Sequence, residues 1–362
     1  MWPDRKFLDL AGVDLPVIQA PMAGANGSAM AIQVCKAGGL GSLPCAVLNA
    51  KEVRSEIQVI RQHVSGPLNV NFFCHADPES NPDQDAAWKQ RLAIYYDEYG
   101  LDASVATPSV RRSPFNSEMC EIVEEYKPEV VSFHFGLPQS ALVQRVKKAG
   151  CLILSSATTV DEAHWLEQHG CDAIIAQGYE AGGHRGMFIT KDINAQPGTL
   201  ALVPQVVDAV DVPVIAAGGI ADGRGIAAAF ALGASAVQVG TAYLFTPQSL
   251  ISDLHRAALH SARDDQTMLT NVFSGKPARS IVNRVMREVG PLSDKAPAFP
   301  TAGSALAALK VQAEALSKAD FSSLWSGQAA SLCHETSAFD LTRKLADDTR
   351  RCLETLASNL QD

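Results

Sequence analysis

From residue 15 to about residue 245 the chain repeats one unit, a short apolar run followed by a longer stretch of helical periodicity. Successive units of this kind signal βα steps and a parallel sheet. The apolar runs predict strands at Leu15–Met22, Leu40–Cys45, Leu68–Phe73, Val130–Phe135, Leu152–Ser156, Ala173–Gln177, Val214–Ala217 and Ala236–Val239. Between them, Thr159-Val-Asp-Glu162 reads as a capping box before a helix stopped by Gly170, and Asp222 and Gly233 bracket a helix of small residues. Eight steps in one continuous region predict an α/β protein with a closed (β/α)8 TIM barrel rather than an open doubly wound sheet. The first run ends in Ala20-Pro-Met-Ala-Gly-Ala25, with no Gly-x-Gly-x-x-Gly turn.

Two stretches break the period. Residues 76–114 are polar and rich in Pro, Asp and Arg, and residues 263–362 read as helices without strands. The expected organisation is therefore a barrel from 1–75 and 115–262, with 76–114 and 263–362 folding together as a smaller, mainly helical second domain. Within the first stretch, Asn81–Arg91 has the composition of a surface excursion.

Composition narrows the function. A net charge of −9 with no block of Lys or Arg argues against nucleic acid or an anionic membrane surface, leaving small molecules as the expected partners. No apolar run reaches the length of a membrane span, the N-terminus lacks the order of a signal peptide, and the eight cysteines form no Cys-x-x-Cys pair. These features predict a cytoplasmic protein with reduced thiols and no metal site.

In barrels of this class chemistry sits at the C-terminal ends of the strands. After the seventh predicted strand comes Ala216-Ala-Gly-Gly-Ile-Ala-Asp-Gly223, and the eighth runs into Gln238-Val-Gly-Thr241. Gly218 and Gly219 with Gln238, Val239, Gly240 and Thr241 suit a phosphate cradle, to which the helix opening at Asp222-Gly223 would add its dipole. The sixth strand runs into Gln177-Gly-Tyr-Glu-Ala-Gly-Gly-His-Arg-Gly186, where Gly182 and Gly183 offer backbone donors beside His184. An imidazole there can carry a proton at neutral pH, or it can be a loop histidine bonded at the surface. The fourth strand places Ser132, His134 and Gly136 on one face and two phenylalanines on the other, toward the helices. The third turns Asn69, Asn71 and Phe73 to one face. The turn Phe273–Arg279 could close over the site, with Lys276 or Arg279 supplying charge, or be a solvated basic turn. Neither a His-Glu-x-x-His nor a Gly-x-Ser-x-Gly motif is present.

Gln19-Ala-Pro-Met-Ala-Gly24, Asn69-Val-Asn71, Phe133-His-Phe-Gly-Leu-Pro138, the Gln177–Gly186 stretch, Ala217-Gly-Gly219, Gln238-Val-Gly-Thr241 and Leu324-Trp-Ser-Gly-Gln328 together resemble the class I nitronate monooxygenases, over almost the whole chain. The Glu-Ala-Gly-Gly-His core alone is shared with flavin-dependent enoyl-acyl-carrier-protein reductases. The resemblance implies a non-covalent FMN, with Pro21, Met22 and Ala23 against the ring, Asn71 and Gln177 at its polar edge, and Gly182, Gly183, Gly218, Gly219 and Gln238–Thr241 at the phosphate. It implies oxidation of an alkyl nitronate, such as propionate 3-nitronate, by dioxygen to a carbonyl compound and nitrite. His184 would be the catalytic residue and His134 a flavin or substrate contact. The protein would be a monomer or homodimer. The alternative is an NAD(P)H-dependent FMN reductase acting on an enoyl thioester or a quinone. Class I enzymes place tyrosines near the substrate, for which Tyr95, Tyr96, Tyr99, Tyr179 and Tyr243 are the candidates. Phe299, His255 and Lys310 have no assigned role.

Overall fold

The computed structural model describes residues 2–102 and 112–359. Part of the polar stretch 76–114 thus lies outside the described residues. Eight parallel strands form the main sheet: β1 (Val17–Gln19), β2 (Gly41–Pro44), β3 (Leu68–Phe73), β4 (Val130–His134), β5 (Leu152–Ala157), β6 (Ala173–Gln177), β8 (Val214–Ala217) and β9 (Ala236–Val239). The two-residue β7 (Gly183–His184) stands apart from them. The order is β1-β9-β8-β6-β5-β4-β3-β2. A parallel bridge between Ile18 and Leu40 joins β1 to β2 and closes the barrel. Four of the strands have the predicted limits, and the others differ by a residue or a few at their ends. The strands are buried along nearly their whole length, as expected of runs covered by helices outside and packed side chains within.

The stretch after residue 263 is not free of strands. It contains β10 (Thr267–Thr270) and β11 (Ala278–Ile281), and β11 pairs antiparallel with both β10 and β7. Thr267-Met-Leu-Thr270 and Ala278-Arg-Ser-Ile281 mix polar with apolar residues, so neither makes the continuous apolar run that marks the equally short barrel strands. Their consequence is large, because β11 holds the strand that carries His184.

Asn81–Arg91 lies at the surface as expected, with Trp88 its one buried residue, but it is the start of a helix rather than a loop. Asn81 accepts the Gln84 N–H at 3.1 Å and caps the helix Pro82–Glu98. Its apolar stripe, Trp88, Leu92, Tyr95 and Tyr96, follows helical spacing and is buried against Ala302, Ala305, Leu306 and Phe321. Trp88 Nε1 donates to the Ala302 carbonyl at 3.0 Å, and the Tyr96 hydroxyl to that of Ala305 at 2.7 Å. The final helix, Ala338–Ser358, leaves this cluster and packs on the barrel helices Ser28–Lys36 and Gly223–Ala231. The close approach requires Gly223, where a Cβ would stand 2.5 Å from the Asp348 carbonyl carbon.

At Thr159 half of the expected capping box forms. Glu162 N–H donates to Thr159 Oγ1 at 3.3 Å, but the Glu162 carboxylate turns to Thr158, whose N–H and hydroxyl each reach it at 2.7 Å. Its other oxygen takes the N–H groups of Phe188 and Ile189, which ties the chain after His184 to the barrel.

Candidate active site

A cavity of about 510 Å³ opens over the C-terminal ends of the strands. That lies within the roughly 300–1,000 Å³ of small-molecule and cofactor sites. Pro21, Met22 and Ala23 line it where β1 ends, and Asn71, Phe73 and His134 where β3 and β4 end. Asn71 Nδ2 donates to Ser132 Oγ at 2.9 Å, which fixes the amide across two strands. Opposite, after β8 and β9, the wall is Gly218, Gly219, Gln238, Gly240 and Thr241. Gly218 and Gly219 have φ values of 120° and 68°, which L side chains adopt only with strain, and their N–H groups meet no acceptor among the described residues. Gln238 Oε1 is buried without a partner. Backbone donors and an unsatisfied amide oxygen suit a polar ligand.

The loop between β6 and β7 forms the third wall. Gln177 folds it back on itself, with Nε2 donating to the His184 carbonyl at 3.0 Å and Oε1 accepting the Gly186 N–H at 2.7 Å. Arg185, a residue whose role sequence pattern does not expose, is fully buried beneath the loop. Its guanidinium donates to the carbonyls of Gln177, Gly178 and Ala181 at 3.2, 2.6 and 3.2 Å and to Gln196 Oε1 at 2.8 Å. Burial, reinforced by the Arg279 charge, pushes it down to about 9.

The Leu324–Gln328 segment closes the loop from above. Gly327 N–H donates to Thr241 Oγ1 at 2.9 Å and Gln328 N–H to the Glu180 carbonyl at 3.1 Å. Only glycine fits at position 182, where a Cβ would lie 2.5 Å from the Gly327 nitrogen.

His184 stands at the end of this loop. Its Nε2 lies 2.8 Å from Ser274 Oγ, and no described residue bonds Nδ1. Burial, with the Arg112 guanidinium next in size, holds its imidazole well below the ordinary value. Phe73, Phe135, Phe299 and Trp325 surround the ring, with centroids 5.3–6.4 Å away. His134 Nε2 meets the His184 carbonyl at 3.2 Å. A carbonyl only accepts, so this nitrogen carries the proton, and Nδ1 accepts from the Ser156 hydroxyl at 3.2 Å. With both nitrogens engaged and burial pushing it down to about 4, His134 is a neutral strut for His184.

Several candidates occupy other places than their spacing suggests. Val239 does not reach the cavity. Alternation sends its side chain into the core, and its carbonyl takes the Ala20 N–H at 2.8 Å. The helix after Asp222-Gly223 turns the N–H groups of Arg224 and Gly225 to the Asp222 carboxylate, at 3.0 and 3.2 Å, rather than to a ligand. Phe135 does not face the helices. Its φ of 71° breaks the alternation and turns its ring toward His184, while Phe133 packs outward on Phe115. Arg279 donates to the Tyr179 carbonyl at 2.9 and 3.1 Å, and Lys276 lies 4.5 Å over the Phe135 ring. Neither lines the cavity. None of the five candidate tyrosines lines it either, whereas His255 and Lys310 do.

No cluster of potential metal ligands occurs among the described residues, and no helix is long and apolar enough to cross a membrane. All eight cysteines are free.

The nitronate monooxygenase family model matches residues 5–348. The chain belongs to the nitronate monooxygenase family. This is a family of flavin-dependent oxidoreductases. A nitronate monooxygenase of Paraburkholderia phytofirmans is 40% identical over 359 residues, covering 97% of each chain. Among solved structures, the nitroalkane oxidase of Streptomyces ansochromogenes is 37% identical, with a TM-score of 0.87 over 97% of this chain and 99% of that one. FabK from Thermotoga maritima is 26% identical, with a TM-score of 0.72 over 99% and 100%. The fold is thus shared with FabK.

Proposed function

We propose that this chain is an FMN-dependent nitronate monooxygenase that oxidises alkyl nitronates with dioxygen to a carbonyl compound and nitrite. The observation that carries the reading is one cavity lined both by the glycines after β6, β8 and β9 and by the neutral imidazole of His184. Gly182, Gly183, Gly218, Gly219, Gly240 and Thr241 would receive the FMN phosphate through backbone donors. Pro21, Met22 and Ala23 would lie along its ring, and Asn71 and Gln238 would meet its polar edge. Gln177 has one amide hydrogen left for that edge after folding its own loop. Bound FMN would supply electron transfer and the reaction with dioxygen.

The remaining work falls to His184. A nitronate is already deprotonated and needs a hydrogen-bond donor, whereas a neutral nitroalkane must first lose its α-proton. Ser274 allows both. When its hydroxyl donates to the Lys276 carbonyl, 3.3 Å away, Nε2 of His184 carries the proton and Nδ1 is a base. When the hydroxyl rotates to donate to Nε2, Nδ1 carries the proton and can bond a nitronate oxygen. The division into a barrel and a smaller domain belongs to the same reading, with the final helix counted as part of the barrel. The second domain would shield the reaction from water through Phe299 and Trp325.

Anaerobic mixing of the flavin-loaded protein with propionate 3-nitronate or with NADH tests this reading. Bleaching of the flavin band by the nitronate and not by NADH is expected. Rapid bleaching by NADH would instead assign the chain to the flavin reductases.

A further inference from the structure

Two cationic side chains stand in the cavity wall, Arg112 and Lys310. Lys310 lies 3.9 Å from Glu314, so its charge is balanced. Arg112 has no such partner among the described residues. Among the described residues no carboxylate forms an ion pair with it, and its Nε is buried without a hydrogen bond. Leaving a guanidinium part-buried and unpaired is costly, and an arriving anion offsets that cost.

Its position is also built. His75 Nε2 donates to the Arg112 carbonyl at 2.8 Å, and Phe115 N–H to that of Phe73 at 2.8 Å, which pins the chain to the end of β3. The guanidinium sits 5.7 Å from the centre of the Phe299 ring, and the His184 ring sits 5.4 Å from the same ring. The two groups therefore flank one aromatic wall, on the β3–β4 side of the barrel. Gly218, Gly219, Gly240 and Thr241 follow β8 and β9, across the barrel from the end of β3, so a phosphate held on their backbone donors stands apart from Arg112.

We propose that Arg112 is a specificity-determining residue that receives a carboxylate at the far end of the substrate while the reacting head meets His184. Arg112 is then the residue on which discrimination between a carboxylate-bearing nitronate and a plain alkyl nitronate depends. A planar fork of donors matches a carboxylate, and the Phe299 face holds the fork in plane. This proposal rests on the reaction assigned above.

The test compares propionate 3-nitronate with propyl 1-nitronate, which lacks the carboxylate, in wild type, Arg112→Met and Arg112→Lys. Loss of a charge-assisted hydrogen bond corresponds to roughly 10- to 100-fold. Arg112→Met should raise KM for propionate 3-nitronate by that factor and leave KM for propyl 1-nitronate within about twofold. Arg112→Lys should fall between and serves if the Met variant does not fold. Equal losses on both substrates, or no loss on the first, would overturn the proposal. A second readout needs no turnover: titration with succinate, an unreactive analogue of propionate 3-nitronate, followed by tryptophan fluorescence with Trp325 in the cavity wall. Succinate should bind wild type and lose affinity in the variants, and unchanged binding would overturn the assignment. If wild type binds succinate but oxidises neither nitronate, the reaction assignment fails and the carboxylate site stands.

Discussion

Nε2 of His184 and Oγ of Ser274 are 2.8 Å apart, and they come from different parts of the chain: His184 from β7, Ser274 from the turn between β10 and β11 that pairs with it. The imidazole nitrogen facing away from Ser274 is the one left for substrate. His184→Asn should therefore remove oxidation of neutral nitroalkanes, by about 100-fold or more for a lost general base. It should leave appreciable oxidation of preformed nitronates. Steady-state rates on nitroethane and on its nitronate decide this, and an equal loss on both would refute the base assignment.

Ser274→Ala keeps the imidazole but removes the group that selects its tautomer. The expected result is a fall in kcat/KM on nitroalkanes of about tenfold, the scale of one hydrogen bond of roughly 1 kcal/mol or a little more. Ser274→Thr should restore most of it. Full activity in the alanine variant would remove Ser274 from the mechanism.

The low affinity of His184 for protons has a kinetic consequence. An imidazole of ordinary pKa loses its basicity below about pH 6.5. Since burial and Arg112 disfavour protonation here, the acid limb of kcat/KM for nitroalkanes should lie below that value. A limb at 6.5 or above would contradict the environment described for the ring.

Stability should follow the same chemistry. His134 and His255, each pushed down to about 4 by burial, take up protons at about 6.5 once unfolded. Between these values the unfolded chain binds more protons, so folding stability is full above about 6.5 and declines as pH falls toward 4. Tm should drop from pH 7 to pH 5. In His255→Gln, which can still donate to the Trp325 carbonyl now bonded at 3.0 Å, the drop should be smaller.

Gly182→Ala tests the cradle. Its Cβ would collide with backbone at 2.5 Å, so the Leu324–Gln328 segment must shift, and purified protein should carry much less flavin. Gly183→Ala meets open space but keeps a φ of 70°, a strain of about 1–2 kcal/mol, and should retain more. Flavin-to-protein stoichiometry distinguishes the two variants.

The barrel was legible because each strand is a continuous apolar run set off by helical periods, and the strand-end rule then pointed to Asn71, His134, Gln177 and His184. What escaped had physical causes. β10 and β11 mix polar with apolar residues and so make no continuous apolar run, and Trp88 and Tyr95 were masked by the charged residues between them. Phe135 left its expected face because one left-handed residue breaks alternation, and Val239 sits in the core because a run of four consecutive strand-end residues cannot all face one side. Arg185 and Arg112 gave no signal, since nothing in a sequence tells a buried guanidinium from a solvated one.

Nitrite release from propionate 3-nitronate in air, with FMN-loaded protein and with or without NADH, decides whether this chain oxidises nitronates. Nitrite should form at the same rate in both conditions. No nitrite, or nitrite only with NADH, would rule the activity out.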